Sequence, residues 1–111
     1  MMKKTTEMKV RDSIKKAINN WANEYIDGFD EAFIEIYQIN SMYDLYSDIE
    51  IDGRVYTYKE LHYCQLSDVL YKTALIEVNR LKLESIPIEV IFDTIGEELD
   101  ELSKYIDIRL D

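Results

Sequence analysis

His62 and Cys64 are the only histidine and the only cysteine of the chain, and thiol catalysis would need them as a nucleophile–base pair. On a helix, residues two apart point about 200° away from each other, so a helical segment here denies the thiol its base. A single cysteine also excludes an intrachain disulfide and any multi-cysteine metal site. Free cysteine is among the most buried residue types. Cys64 is therefore expected in the core, and His62 at a surface or interface rather than as a ligand.

Other catalytic templates fail on spacing. Gly28, Gly53 and Gly96 lie far apart, and none opens a phosphate-binding loop. Ser41, Ser47, Ser67, Ser85 and Ser103 lack the context of a nucleophile elbow. The stretch Asp44 to Asp52 places acids at offsets 0, 4, 6 and 8, without the glycine and the terminal glutamate of a calcium loop. An acidic chain offers many carboxylate pairs, and spacing singles out none for acid–base work. The expectation is a protein that is not an enzyme, needs no cofactor or metal, and acts by binding.

The residues best placed for binding are acids. Glu89, Asp93, Glu97 and Asp100 follow spacings of four, four and three, which puts them along one helix edge, with Glu98 and Glu101 beside them. Residues four apart on a helix stand about 6 Å from each other. That interval is close to the phosphate spacing along one DNA strand, about 3.4 Å of rise plus the winding. Like charges at this spacing repel, and Lys104 is the one compensating base on this face. A second patch joins Asp44, Asp48, Glu50 and Asp52 to Tyr43 and Tyr46, within a run of tyrosines that includes Tyr37, Tyr56, Tyr58 and Tyr63. Tyrosine beside acids suits a protein-binding surface, because it buries area at low entropic cost and still hydrogen-bonds.

The charge distribution agrees with such partners. The 111 residues carry a net charge of −10. Residues 1–16 are basic (Lys3, Lys4, Lys9, Arg11, Lys15, Lys16), whereas residues 17–58 hold nine acids against Arg54, and residues 84–111 hold nine against Lys104 and Arg109. An acidic body repels phosphates, so direct nucleic-acid binding is disfavoured and a basic protein partner is favoured. The basic N-terminal segment keeps a weaker claim to a nucleic-acid contact, since its bases are also available to the protein's own acids.

These residues need elements to hold them. Val10, Ile14, Ile18, Trp21, Ala22 and Tyr25 build an apolar stripe that predicts a helix over about 6–26, stopped by Asp27-Gly28. Residues 29–46 suit a further helix broken near Asn40-Ser41, although Phe33 to Ile39 also has strand content. Asp52-Gly53 between β-prone runs predicts a hairpin over 48–57, with Ile51 facing Arg54 and Ile49 facing Tyr56. Thr57 and Glu60 form a capping box for a helix reaching about Leu83. Its main apolar arc holds Tyr63, Leu70, Tyr71, Ala74, Val78 and Leu81. A second stripe of His62, Val69, Ile76 and Leu83 marks either a central helix touching neighbours on both sides or a docking surface. Ser85-Ile86-Pro87 starts the last helix, whose face of Ile88, Ile91, Phe92, Ile95, Leu99, Leu102 and Ile106 is the most regular. The alternation over 106–110 is the candidate for a short third strand.

The expected architecture is α+β, mostly α: one compact domain over 1–111 with about four helical segments and the hairpin. No apolar run reaches the ~20 residues of a membrane span, and the N-terminus lacks a signal-peptide core, so a cytoplasmic protein is expected. The function expected first is a small acidic inhibitor or decoy that blocks a basic nucleic-acid-binding target by charge mimicry. A host-defence, restriction-type or toxin nuclease would be such a target, and phage and mobile-element proteins that evade host defences act in this way. The alternative is a structural or regulatory interaction module that homodimerises or docks a partner through Val69, Ile76 and Leu83.

Overall fold

Val10, Ile14, Ile18, Ala22 and Ile26 recur every fourth residue and are all buried, and the helix they drive runs well past its expected end. In the computed structural model, which describes residues 3–83 and 85–110, α1 spans Lys4–Tyr37. The expected stop at Asp27-Gly28 does not occur. A Cβ at Gly28 would meet nothing within 4 Å, and the buried ladder simply continues through Asp30 to Phe33. One glycine costs a helix interior about 1 kcal/mol, less than the burial of a single large side chain returns. The helix stops at Gln38, which takes a left-handed φ of 55° and lets Ile39 N–H reach the carbonyl of Ile34 at 2.9 Å.

A single turn, α2 (Met42–Leu45), follows, capped by Ser41, so residues 29–46 are helical and broken where expected. Strands β1 (Asp48–Ile51) and β2 (Arg54–Thr57) pair antiparallel in the expected register, Ile49 with Tyr56 and Ile51 with Arg54. Asp52 and Gly53 both have positive φ, as this two-residue turn requires. Ile49, Ile51 and Tyr56 are half-buried on one side, while Glu50 and Val55 are exposed on the other. The capping box is formed in full: Thr57 Oγ1 accepts from Glu60 N–H, and Glu60 accepts from Thr57 N–H.

Three long helices make the body: α1, α3 (Tyr58–Leu81) and α4 (Ile88–Leu102). Contacts from Asp30 to His62 and from Ser13 to Glu77 set α3 antiparallel to α1. Contacts from Arg11 to Asp93 and from Lys15 to Glu97 set α4 parallel to α1. Between them Val10 to Ile26, Leu66, Leu70, Ala74 and the inner face of α4 form the main core. A second cluster of Phe33, Ile39, Leu45 and Ile106 closes the hairpin end.

The tail departs from expectation. No third strand forms among the described residues: the sheet has two strands, and residues 105–110 make the short helix α5 (Tyr105–Leu110), set off from α4 by a turn at Ser103-Lys104. Ile106 and Leu110, four apart, both reach the second cluster, which a helix permits. Ile108, the alternate residue that a strand would have turned to the same side, is exposed. The fold is thus a compact, mostly helical domain with one β-hairpin. Among the described residues no helix is long and apolar enough to cross a membrane.

Candidate protein-binding surfaces

Glu89, Asp93, Glu97 and Asp100 are all exposed on α4, as their spacing requires, but the row is not bare. Arg11 lies 3.7 Å from Asp93, and Lys15 lies 2.9 Å from Glu97. The compensation expected from Lys104 alone comes instead from α1, which lies alongside in parallel. The hydrogen bond and charge of Lys15 hold the Glu97 carboxyl below its ordinary value, and Glu97 raises Lys15 in return. Asp100 accepts from the Tyr63 hydroxyl at 3.3 Å. Partial burial and then the charge of Asp100 push that hydroxyl up. Tyr63, expected on the apolar arc, sits instead at the exposed margin between α3 and α4. Within the row, Glu89 and Asp100 have no ion pair among the described residues.

The second patch is less compensated. Tyr43 is 89 % exposed and Tyr46 56 %, and Asp48, Glu50 and Asp52 are exposed on the hairpin beside them. Asp44 is half-buried and accepts from Asn40 N–H at 2.8 Å, which ties it to the local turn. None of these four acids enters an ion pair among the described residues; Arg54, in the same hairpin, is the base closest in sequence. Of the other tyrosines of the run, Tyr37, Tyr56 and Tyr58 turn inward: all three are half-buried, and the ring centres of Tyr37 and Tyr58 lie 5.6 Å apart.

The stripe of His62, Val69, Ile76 and Leu83 does not lie on one kind of surface. His62 is fully buried, Val69 half-buried, Ile76 70 % exposed and Leu83 43 % exposed. The stripe begins inside the α1–α3 contact and emerges from it. Cys64 is exposed, so the expected placement of the two residues is reversed. The cause is a buried network that joins residues far apart in the sequence. His62 Nε2 lies 2.7 Å from Asp30 Oδ1, and neither residue is exposed. Arg109 of α5 donates to Asp30 Oδ2 at 3.4 Å and also pairs with Asp27 and Glu31. The Phe29 and Phe33 rings flank the imidazole at 5.5 and 5.1 Å, and His62 Nδ1 is buried without a partner. With Nε2–H donating, this network joins α1, α3 and α5 inside the fold. A signal for it was present: Asp30 continues the fourfold ladder after Ile26, and His62 lies four residues before Leu66.

No known protein family, characterised protein or solved structure matches the chain.

Proposed function

We propose that this chain is a small acidic inhibitor or decoy which occupies the cationic surface of a nucleic-acid-binding protein, such as a host-defence, restriction-type or toxin nuclease. The observation that carries the reading is the hairpin end, where Tyr43 and Tyr46 stand out beside Asp48, Glu50 and Asp52, and none of these acids has an ion-pair partner among the described residues. Carboxylates free of internal cations attract external ones at long range, and exposed tyrosines add contact area where the charges meet. The α4 row is the second contact. Glu89 and Asp100 are available at once, whereas Asp93 and Glu97 would exchange Arg11 and Lys15 for the partner's bases. These groups pair with Arg and Lys and so keep the phosphate backbone out.

A salt-series capture experiment tests this, with oligomeric state measured on the same sample. The expected result is a basic nucleic-acid enzyme that is released as salt rises, is displaced by duplex DNA, and is lost with the triple change Asp48→Lys, Glu50→Lys, Asp52→Lys. Capture that ignores salt and survives the triple change would refute charge mimicry. The exposure of Ile76 favours a second reading, docking or homodimerisation through Val69, Ile76 and Leu83. In that case Val69→Asp with Ile76→Asp abolishes association while the charge reversals leave it intact.

A further inference from the structure

The two ends of the molecule carry opposite charge. The 34 residues of α1, at about 1.5 Å each, run the length of a body whose longest dimension is 46 Å. The start of α1 lies beside the end of α3, and the end of α1 lies beside the hairpin and the start of α3. At the first end Lys3, Lys4, Lys9 and Lys82 are exposed and enter no ion pair among the described residues, while Glu7 and Glu77 are taken by Arg11 and Arg80. Residues 3–11 and 77–89 together hold six bases and four acids. At the hairpin end, residues 35–57 hold Glu35, Asp44, Asp48, Glu50 and Asp52 against the single base Arg54.

The basic end also has an apolar opening. A cleft of about 170 Å³ lies between the start of α1 and the end of α3, lined by Thr6, Lys9, Val10, Leu81 and Leu83. Val10 is buried, Leu81 is half-buried, and Leu83 remains exposed. The cleft is smaller than the roughly 300–1,000 Å³ of sites for drug-sized ligands, and suits one large side chain. Lys9 is the lining residue that carries charge. The acidic end offers the matching shape. Tyr43, on the single turn α2, is the most exposed large apolar side chain among the described residues, and it stands beside the hairpin acids. An aromatic ring buries apolar area and keeps its hydroxyl at the edge, and an ammonium at the rim is attracted both to the ring face and to the carboxylates around it.

We propose that the occupant of this cleft is Tyr43 of a second copy of the chain, with the hairpin acids of that copy against Lys9 and its neighbouring lysines. Each end is dominated by one sign of charge, so a two-fold contact of an end with itself is repulsive, and the contact is head-to-tail. Because the two surfaces lie at opposite ends of the body, every pairing leaves one of each exposed, and the assembly grows or closes into a ring. This contact is distinct from docking through Val69 and Ile76. It does not rest on the charge-mimicry reading, although it uses the same hairpin acids, so self-association and capture of a basic target exclude each other.

Sedimentation of the pure full chain tests it, at chain concentrations up to ~1 mM, which reaches dissociation constants of that order. Below ~0.1 M salt, where exposed charges act over about 10 Å, the mean mass should climb past two chains, and it should fall to the 13.2 kDa of one chain as salt rises. One variant, Lys9→Ala with Leu83→Ser, loses the cleft, and another, Tyr43→Ser with Glu50→Gln, loses the hairpin end. All four positions are exposed, and circular dichroism checks that both variants fold. Each variant alone should stay monomeric. Their equimolar mixture should form a pair and stop there, because the two intact ends meet and the two altered ends cannot extend it. A monomeric parent chain at low salt, a mixture that stays monomeric, or association that survives in either variant alone would overturn the proposal. If the pure chain stays monomeric while a basic target is captured and displaced by DNA, self-association falls and charge mimicry stands. If the chain assembles as described and no basic target is captured, the reverse holds.

Discussion

Asp30, His62 and Thr94 are polar side chains that the fold seals completely, and the first two bond to each other. Removing one partner of a buried hydrogen-bonded pair leaves the other unsatisfied, at a cost of about 1–3 kcal/mol and more where a carboxylate is involved. Asp30→Ala should therefore lose about 3 kcal/mol in urea unfolding. The double change Asp30→Leu, His62→Leu should recover much of that, because packed apolar replacements of buried pairs are often close to neutral. A loss below about 1 kcal/mol for Asp30→Ala would mean that water or a shifted Arg109 takes over the network. The same pair explains a residue-scale miss. Helix phase correctly put His62 and Cys64 on different sides of α3, so only one of them could face α1. Intrinsic burial preference favours the cysteine, but the acid waiting at Asp30, 32 residues away in sequence, turned the histidine inward.

At the scale of elements, one dipeptide gave two outcomes. Asp52-Gly53 makes the hairpin turn, whereas Asp27-Gly28 lies inside α1. Around Asp52-Gly53 the flanking runs are β-branched and pair with each other. Around Asp27-Gly28 the buried ladder keeps its fourfold phase on both sides, and burial outweighs the glycine. Gly28→Ala should therefore stabilise the protein by about 0.5–1 kcal/mol, since the added methyl meets open space. Gly53→Ala should destabilise it, because φ at that residue is +80°. Thermal unfolding of the two variants, which should move in opposite directions, checks both. The hairpin register and the capping box were legible because each depends on neighbours within a few residues. The continuity of α1 and the helical state of the tail were not, because α3, α4 and the second cluster decide them.

For the whole molecule, the tail fastens the second core cluster to the acids of α1. Ile106 is fully buried among Phe33, Ile39 and Leu45, and Arg109, three residues on, holds the acids of α1. Ile106→Ala should cost about 2–4 kcal/mol and should raise hydrogen exchange first in α5 and at the hairpin end, before the α1–α3–α4 body. Uniform loss of protection would show instead that the two clusters unfold as one unit. The charge pattern is also a property of the whole molecule. The basic first segment and the acidic last helix looked like separate features of the chain, yet α1 and α4 run in parallel, and Arg11 and Lys15 spend their charge on Asp93 and Glu97.

The sequence by itself determined the mostly helical class, the hairpin and its register, the cap of α3, and the exposure of the α4 acids and of Asp48, Glu50 and Asp52. Each of these follows from side-chain periodicity or from turn and cap chemistry acting over a few residues. Only the tertiary structure decided which acids keep their charge free and which of His62 and Cys64 is buried. Those outcomes depend on which residues are brought together from 30 to 80 positions apart. Local periodicity gives a helix its inward face but does not give the register at which a distant helix meets it.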